Sequence, residues 1–153
     1  MLNDLLSPQA VVPQLKAANK KQAIQQIAAQ AAELWSLPER EVFESLLQRE
    51  RLGSTGIGNG IAIPHGKLPV VVRPVGLFAR LEKPIDFEAV DGEPVDLMFL
   101  LLAPEEAGAD HLKALARVAR VLRDATVTAQ LRSTRDAAAL HALLTQQATP
   151  HAA

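Results

Sequence analysis

Residues 53–67 read GSTGIGNGIAIPHGK, and this glycine-rich stretch with one histidine is the most informative part of the 153-residue chain. Four of the chain's eight glycines fall within residues 53–60, and His65 stands between Pro64 and Gly66. Glycine accepts positive φ angles readily, but it loses more conformational entropy on folding than other residues do. The cluster therefore predicts backbone that another group approaches closely, with His65 at its far end.

The spacing of these glycines excludes two common nucleotide-binding motifs. Residues 60–67 carry five residues between their glycines where a P-loop has four, and Leu68 stands where a P-loop has Ser or Thr for magnesium. Gly56 and Gly58 are followed by a strand-like segment and not by a helix, so a dinucleotide-binding fingerprint fails too. A plain glycine-rich turn between a helix and a strand stays open as the alternative.

Composition limits the class of protein further. The chain is 48% apolar and 22% charged, with four Phe, one Trp and no Tyr, so aliphatic residues must fill the core. A net charge of -1 gives no general attraction for nucleic acid or an anionic membrane, so any anion needs a specific site. The chain has no cysteine, which excludes disulfides, thiolate catalysis and Cys-based metal sites. Without a signal-like start or a long apolar segment, we expect a soluble, cytoplasmic protein with no membrane insertion.

Apolar periodicity predicts one α/β domain over residues 1–146, a sandwich in which helices flank a mixed β-sheet, followed by a disordered tail at residues 147–153. Capping residues predict helices after Asn19, from Ser36 with Glu39 to about Arg51, after Asp110, and after Ser133 with Asp136. On the third helix we expect a buried face of Leu112, Leu115, Ala119 and Leu122. Extended segments are predicted at residues 10–16, 61–63, 75–81 and 95–102, the last a central strand, with turns at residues 73–74, 83–84 and 91–92.

Three side chains have the chemistry for handling phosphate. A neutral imidazole such as that of His65 attacks phosphorus and forms a phosphoramidate that can pass its phosphoryl group on. Arg49 comes seven residues after Val42 and three after Leu46, which puts a guanidinium on the helical stripe that faces the core. His111 stands at the start of a helix, where free amides and the helix dipole favour anions. Amides of the glycine loop could hold further phosphoryl oxygens.

Plainer interpretations of the same residues stay open. His65 could be a structural histidine, Arg49 could bond the last carbonyls of its helix, and His111 could be exposed in a first helical turn. The basic strip Lys113, Arg117, Arg120 and Arg123 is more typical of a solvated helix face or docking rim than of nucleic-acid binding. A zinc site from His65, His111 and an acidic residue lacks close ligand spacing.

Residues 49–67, RERLGSTGIGNGIAIPHGK, closely resemble the active-site signature of the EIIA domains of the phosphoenolpyruvate-dependent phosphotransferase system, fructose/mannitol class. The resemblance continues through residues 94–97 and the helix at His111, and it is closest to the nitrogen-regulatory branch. It implies that Nε2 of His65 becomes a tele-phosphohistidine, and that Arg49, His111, Thr55 and Gly56 bind or support the phosphoryl group. It implies no metal and no cofactor.

The same resemblance implies the partners. The donor would be a phosphorylated HPr-like carrier, named NPr in the nitrogen branch, and the phosphorylation state would govern regulatory targets such as a sensor kinase or a potassium transporter. Two alternatives stay open: a sugar-uptake EIIA component that passes phosphate to an EIIB cysteine, and a purely binding regulatory module. We expect no nucleic-acid partner.

Overall fold

The apolar run predicted as a central strand lies in the middle of a six-stranded mixed β-sheet in the computed structural model, which describes residues 1–146. The predicted tail, residues 147–153, lies outside the described residues. In chain order the elements are β1 (Val11–Leu15), α1 (Lys20–Trp35), α2 (Glu39–Arg51), β2 (Gly56–Gly58), β3 (Ile61–Ala62), β4 (His65–Leu68), β5 (Val75–Ile85), β6 (Val95–Pro104), α3 (Ala109–Arg123), α4 (Ala125–Ser133) and α5 (Ala137–Thr145).

The sheet is organised around β6. Its strand order is β1-β5-β6-β3-β2, and β4 pairs with β6 further along the same edge as β3. β5 pairs with β6 antiparallel, whereas β3 and β4 pair with it parallel. Residues 97–103 of β6 are fully buried, as expected of a strand covered on both faces. The predicted α/β class with a mixed sheet is confirmed.

The first two helices form largely as predicted, with one correction at their junction. The Asn19 side chain caps α1 by accepting from the Gln22 amide at 2.9 Å. Ser36 does not cap α2: it adopts a left-handed conformation with φ 54° and ends α1, with its amide bonded to the Ala32 carbonyl. The two helices follow so closely that this turn is used to end α1, and Pro38 becomes the N-cap of α2 without a side-chain cap.

The C-terminal helices differ more from prediction. Gly108, with φ 51°, precedes α3, so Asp110 lies inside the first turn and is not its cap. The buried face of α3 is His111, Ala114, Val118 and Leu122, while Leu112 is 66% exposed. Leu122 is buried as predicted, but the other three buried positions lie one residue before the predicted ones, a difference of about 100° around the helix.

Helix α4 was not predicted. Asp124 caps it through the amides of Thr126 and Val127, and Ser133 is its last residue. Asp136 alone caps α5, by accepting from the Ala139 amide. The predicted pairing of Ser133 with Asp136 as one cap is wrong because Ser133 belongs to the preceding helix.

The strands also depart from prediction in places. β2 and β4 were not predicted, and the predicted turn at residues 83–84 lies inside β5. Pro84 is tolerated there because the pairing of β5 with β6 is irregular between Arg80 and Ile85. The turn at residues 91–92 is confirmed, with Gly92 at φ 73°. Within residues 1–146, no helix combines the length and apolar character needed to cross a membrane.

Candidate functional site

His65, Arg49 and His111 lie together, although they come from three separate elements. His65 begins β4, Arg49 is in the last turn of α2 and His111 is in the first turn of α3. The two imidazole rings have centroids 5.4 Å apart, and Arg49 Nε is 3.1 Å from His65 Nε2. Three of the five residues that the sequence singles out are therefore in one place.

The hydrogen bonds of His65 determine its tautomer. A guanidinium N–H can only donate, so Nε2 of His65 must be unprotonated to accept from Arg49. Nδ1 then carries the proton and donates it to the Ile63 carbonyl at 2.8 Å. The lone pair of Nε2 is thus free of a proton and directed toward a cation.

Close packing of α2 on β4 places Arg49 over His65. A Cβ atom at Gly66 would collide with the Ser45 hydroxyl on α2, so only glycine lets the helix come this near. The Ser45 hydroxyl donates to the Lys67 carbonyl at 3.2 Å. Since Arg49 lies one helical turn after Ser45, the same approach carries its guanidinium to the ring of His65.

Arg49 contacts both His65 and the chain that follows its helix. Besides contacting His65, its Nη1 donates to the Gly53 carbonyl at 2.9 Å, just beyond the end of α2. Arg49 is half-buried, as is His65. The guanidinium therefore joins the helix end to the imidazole, and both contacts come from one planar group.

Both histidines are held neutral at pH 7. Burial lowers the pKa of His65, and the charge of Arg49 adds to this against the opposing effects of the Ile63 carbonyl and Glu50. Burial is also the main reason that the pKa of His111 is lowered, with further contributions from His65 and Lys67. A neutral His65 keeps the Nε2 lone pair that a nucleophile needs.

His111 is buried, and one of its nitrogens is unused. The residue is 6% exposed, which excludes the interpretation of an exposed first-turn histidine. Its Nδ1 is a buried atom with no hydrogen-bond partner among the described residues. A buried polar atom without a partner costs about 1–3 kcal/mol, so Nδ1 is a natural contact for an oxygen of a bound group.

Thr55 and Gly56 face other partners. Thr55 is 3% exposed and donates its amide to Glu50 Oε1 at 2.8 Å and its hydroxyl to Glu50 Oε2. The Gly56 amide donates to the Ser54 hydroxyl at 3.1 Å, and a Cβ atom at Gly56 would lie 2.8 Å from that of Ala89. Both residues shape the loop that leads to His65, and their amides bond within the protein.

The tip of the glycine-rich stretch lies away from His65. Ile61 pairs with Leu97 and His65 with Leu101, so the tip lies four residues, or about 13 Å, nearer the start of β6 than His65 does. The Asn59 amide donates to Asp91 at 2.9 Å, and its carbonyl accepts from Arg132 at 2.6 Å. The expectation that amides of the glycine loop hold phosphoryl oxygens does not apply to this tip.

Glu50 is a buried residue of this region that the sequence interpretation missed. It is 7% exposed, and its Oε1 lies 2.9 Å from Lys20 Nζ. A signal was available, because Val42, Leu46 and Glu50 follow one another at four-residue spacing on one helical face. A carboxylate in line with two core residues indicates an internal partner.

The remaining candidates lie elsewhere. His141 bonds the Leu6 carbonyl at 2.9 Å from α5. Arg117 of the basic strip binds Asp4 and the Met1 carbonyl near the N-terminus. Within residues 1–146, no group of three or more His, Asp or Glu side chains is placed to hold a metal ion.

Comparisons with known proteins give a consistent result. Residues 4–147 match the family model described as "Phosphoenolpyruvate-dependent sugar phosphotransferase system, EIIA 2". The chain is 62% identical over 143 residues to a nitrogen regulatory protein of Bradyrhizobium diazoefficiens, covering 94% of each chain. It is 44% identical over 151 residues to the nitrogen regulatory protein of Escherichia coli K12, covering 97% of this chain and 93% of the other. The crystal structure of nitrogen regulatory protein IIA-Ntr from Neisseria meningitidis matches with a TM-score of 0.86 and 36% identity, covering 93% of this chain and 97% of that one.

Proposed function

Because the chain belongs to the EIIA 2 family of the phosphoenolpyruvate-dependent sugar phosphotransferase system, in its nitrogen-regulatory branch, we propose that it is a phosphocarrier whose His65 accepts a phosphoryl group. The donor is a phosphohistidine of an HPr-like carrier, NPr. The observation that carries this proposal is the unprotonated Nε2 of His65, which faces Arg49 at 3.1 Å while Nδ1 is bonded to Ile63. Family members transfer phosphoryl groups, so the chain acts as a phosphotransferase.

The transfer is an in-line displacement at phosphorus. The Nε2 lone pair of His65 forms the new P–N bond while the P–N bond to the carrier's imidazole breaks and its electron pair returns to that ring nitrogen. Because Nδ1–H stays bonded to Ile63, no proton has to move at His65. One phosphohistidine replaces another, so the step is close to thermoneutral and reversible.

Arg49 and His111 would bind the transferring group. Once phosphorus bonds Nε2, Arg49 Nε loses its acceptor there, and its planar guanidinium can turn its donors to the phosphoryl oxygens. The unpartnered Nδ1 of His111, on a ring 5.4 Å from that of His65, can contact another oxygen. Thr55 and Gly56 support the site through the loop and not by direct contact.

The test is phosphorylation by a phosphorylated HPr-like carrier, followed by mass spectrometry and acid-lability analysis. We expect acid-labile phosphate on His65 and none on a His65→Ala variant. His141→Ala is the matched control, because it removes a histidine bonded elsewhere in the chain and should accept phosphate like the wild type. Label on His65→Ala at the wild-type rate would show that the acceptor has been assigned wrongly.

The physiological role that follows is regulation by phosphorylation state, with a sensor kinase or a potassium transporter as the kind of target. Identity of 62% to a nitrogen regulatory protein supports this role over sugar uptake. Titration of a target with phosphorylated and unphosphorylated protein should give different affinities. Equal affinities for both forms and for His65→Ala would favour the pure binding module, and transfer of phosphate to an EIIB cysteine would favour sugar uptake.

A further inference from the structure

A chain of hydrogen bonds links the buried carboxylate of Glu50 to the ring of His65. Glu50 accepts the amide and the hydroxyl of Thr55, and the Thr55 carbonyl accepts the Ile63 amide at 2.9 Å. The Ile63 carbonyl accepts Nδ1–H of His65 at 2.8 Å. Each bond restrains one backbone group of a residue whose other backbone group makes the next bond, so the position of the carboxylate is transmitted through Thr55 and Ile63 to the imidazole.

The carboxylate is itself held from the other side. The Glu50 side chain is 4% exposed, and Lys20 Nζ lies 2.9 Å from its Oε1 and 5.0 Å from the centre of the Phe87 ring. A carboxylate in such a position is retained only when it is paired and hydrogen-bonded. Lys20 and Thr55 together satisfy that requirement, so the Glu50 carboxylate is held in one position beside the loop.

We propose that Glu50 is a positioning residue for phosphoryl acceptance, which holds His65 in its Nδ1–H tautomer and orientation through Thr55 and Ile63. This inference rests on the proposed function, because it assigns His65 Nε2 as the atom that reacts. Glu50 does not touch that atom. It acts by keeping Nδ1 protonated and bonded, so that the lone pair stays on Nε2 and is directed at Arg49.

Three variants separate positioning from a purely structural ion pair. Glu50→Leu removes both side-chain acceptors of Thr55. Glu50→Gln keeps one neutral acceptor for the backbone amide of Thr55. Lys20→Gln removes the cation and leaves the Glu50 carboxylate bonded to Thr55. For each, nitrogen-15 NMR of the His65 ring gives the tautomer and pKa, and phosphorylation by the carrier gives kcat/KM.

We expect Glu50→Leu to lower kcat/KM about ten- to hundredfold, by analogy with the range found when a partner that orients a metal-ligating histidine is removed. The NMR should then show a mixture of tautomers. Glu50→Gln should recover part of the rate lost in Glu50→Leu. Its His65 pKa should be lower than in the wild type, because the Glu50 charge of the wild type favours the imidazolium and is absent from the variant. Lys20→Gln removes the paired cation but leaves both Thr55 bonds to Glu50, so it should lower kcat/KM less than Glu50→Leu does and keep the wild-type tautomer.

The inference is overturned if Glu50→Leu, or Glu50→Gln where the leucine variant does not fold, keeps the wild-type tautomer, pKa and rate. Loss of stability alone, with those readouts unchanged, would also overturn it and leave Glu50 as part of an ion pair. Failure of the proposed function is a different outcome: the wild type would then take no phosphate on His65. The tautomer of the unphosphorylated ring would still test Glu50.

Discussion

At the scale of single residues, the shape of Arg49 matters as much as its charge. Its Nε contacts His65 and its Nη1 contacts the Gly53 carbonyl, an arrangement that a lysine ammonium cannot reproduce. Hydrogen bonds to charged groups contribute about 1.5–3 kcal/mol, so we expect Arg49→Lys to lower kcat/KM for phosphorylation about ten- to hundredfold. Kinetics with a phosphorylated carrier measure this.

Two further variants serve as comparisons for Arg49→Lys: Arg49→Met and Arg51→Lys. Arg49→Met also removes the charge that lowers the pKa of His65, so an NMR titration should show this pKa rising in Arg49→Met and not in Arg49→Lys. Arg51 is exposed on the same last helical turn, and Arg51→Lys should leave the rate unchanged. Equal losses in Arg49→Lys and Arg51→Lys would contradict a specific role for the Arg49 guanidinium, because both variants keep the positive charge at the helix end.

The protonation of His65 predicts how the rate depends on pH. Only the neutral ring has a lone pair on Nε2, and burial lowers the pKa of His65 below its ordinary 6.5. The rate should therefore decline as pH falls through the pKa of the folded protein, with the midpoint of the decline below pH 6.5. A profile of kcat/KM between about pH 8 and pH 5, with the carrier titrated separately, measures this, and a midpoint for His65 above 6.5 would contradict it.

At the scale of elements, the contact of α2 with β4 depends on glycine at position 66. The Cβ atom of an alanine there would meet the Ser45 hydroxyl, and 3.2 Å away the Ser45 Cβ. Overpacking of this kind costs about 1–3 kcal/mol, so we expect Gly66→Ala to lower the free energy of unfolding by that amount and to slow phosphorylation by shifting His65 from Arg49. Urea denaturation and carrier kinetics measure the two effects.

A double-mutant cycle with Ser45→Ala tests whether the contact with the Ser45 hydroxyl causes the destabilisation of Gly66→Ala. Removing the hydroxyl relieves the worst contact, so the double variant should be less destabilised than the sum of the single variants. Recovery should be partial, because the Cβ and backbone of position 45 stay within 3.4 Å. Simple additivity of the two changes would show that the glycine is needed for another reason.

How far these elements could be predicted depends on whether their signal is local. The inner face of α1 and the central strand β6 follow from apolar periodicity, which is a property of the segment itself. β2 and β4 contain Gly-Ile-Gly and His-Gly-Lys-Leu, which have little strand propensity, and β4 pairs parallel with the central strand. Helix α4 opens with Ala-Thr-Val-Thr, where β-branched residues weaken the helical pattern.

The residues of the candidate site also differ in whether the local sequence gives a signal for them. His65 and Arg49 could be identified because each contradicts its local pattern, a histidine fixed between Pro and Gly and a cation on an apolar stripe. Glu50 was missed because a glutamate in the last turn of a helix is usually exposed. Its burial comes from the tertiary contact with Lys20 on α1 and from the turn that brings Thr55 back to its carboxylate.

At the scale of the whole molecule, the C-terminal helices hold the glycine tip of residues 58–60. Arg132 on α4 binds both oxygens of Asp96 at the start of β6 and donates to the Asn59 carbonyl, while its own carbonyl accepts from Arg80. Gly60, with φ 79°, has no room for a side chain beside Arg132 and Asp96. This cluster joins α4 to the sheet about 13 Å along β6 from His65.

Because Arg132 lies at this distance from His65, we expect a substitution of Arg132 to lower stability without slowing phosphoryl transfer. Arg132→Met should lower the free energy of unfolding by about 1–3 kcal/mol, because a partly exposed, multiply bonded guanidinium is lost and Asp96 loses its partner. Phosphorylation of the folded fraction should stay within about twofold of wild type, since the hydrogen bonds of His65 to Arg49 and Ile63 do not involve Arg132. Arg135→Met, at an exposed position between α4 and α5, is the control and should change neither quantity. If Arg132→Met instead slowed phosphorylation strongly with little loss of stability, the glycine tip and the histidine would have to be coupled through β6, and the two ends of residues 53–67 would act as one site.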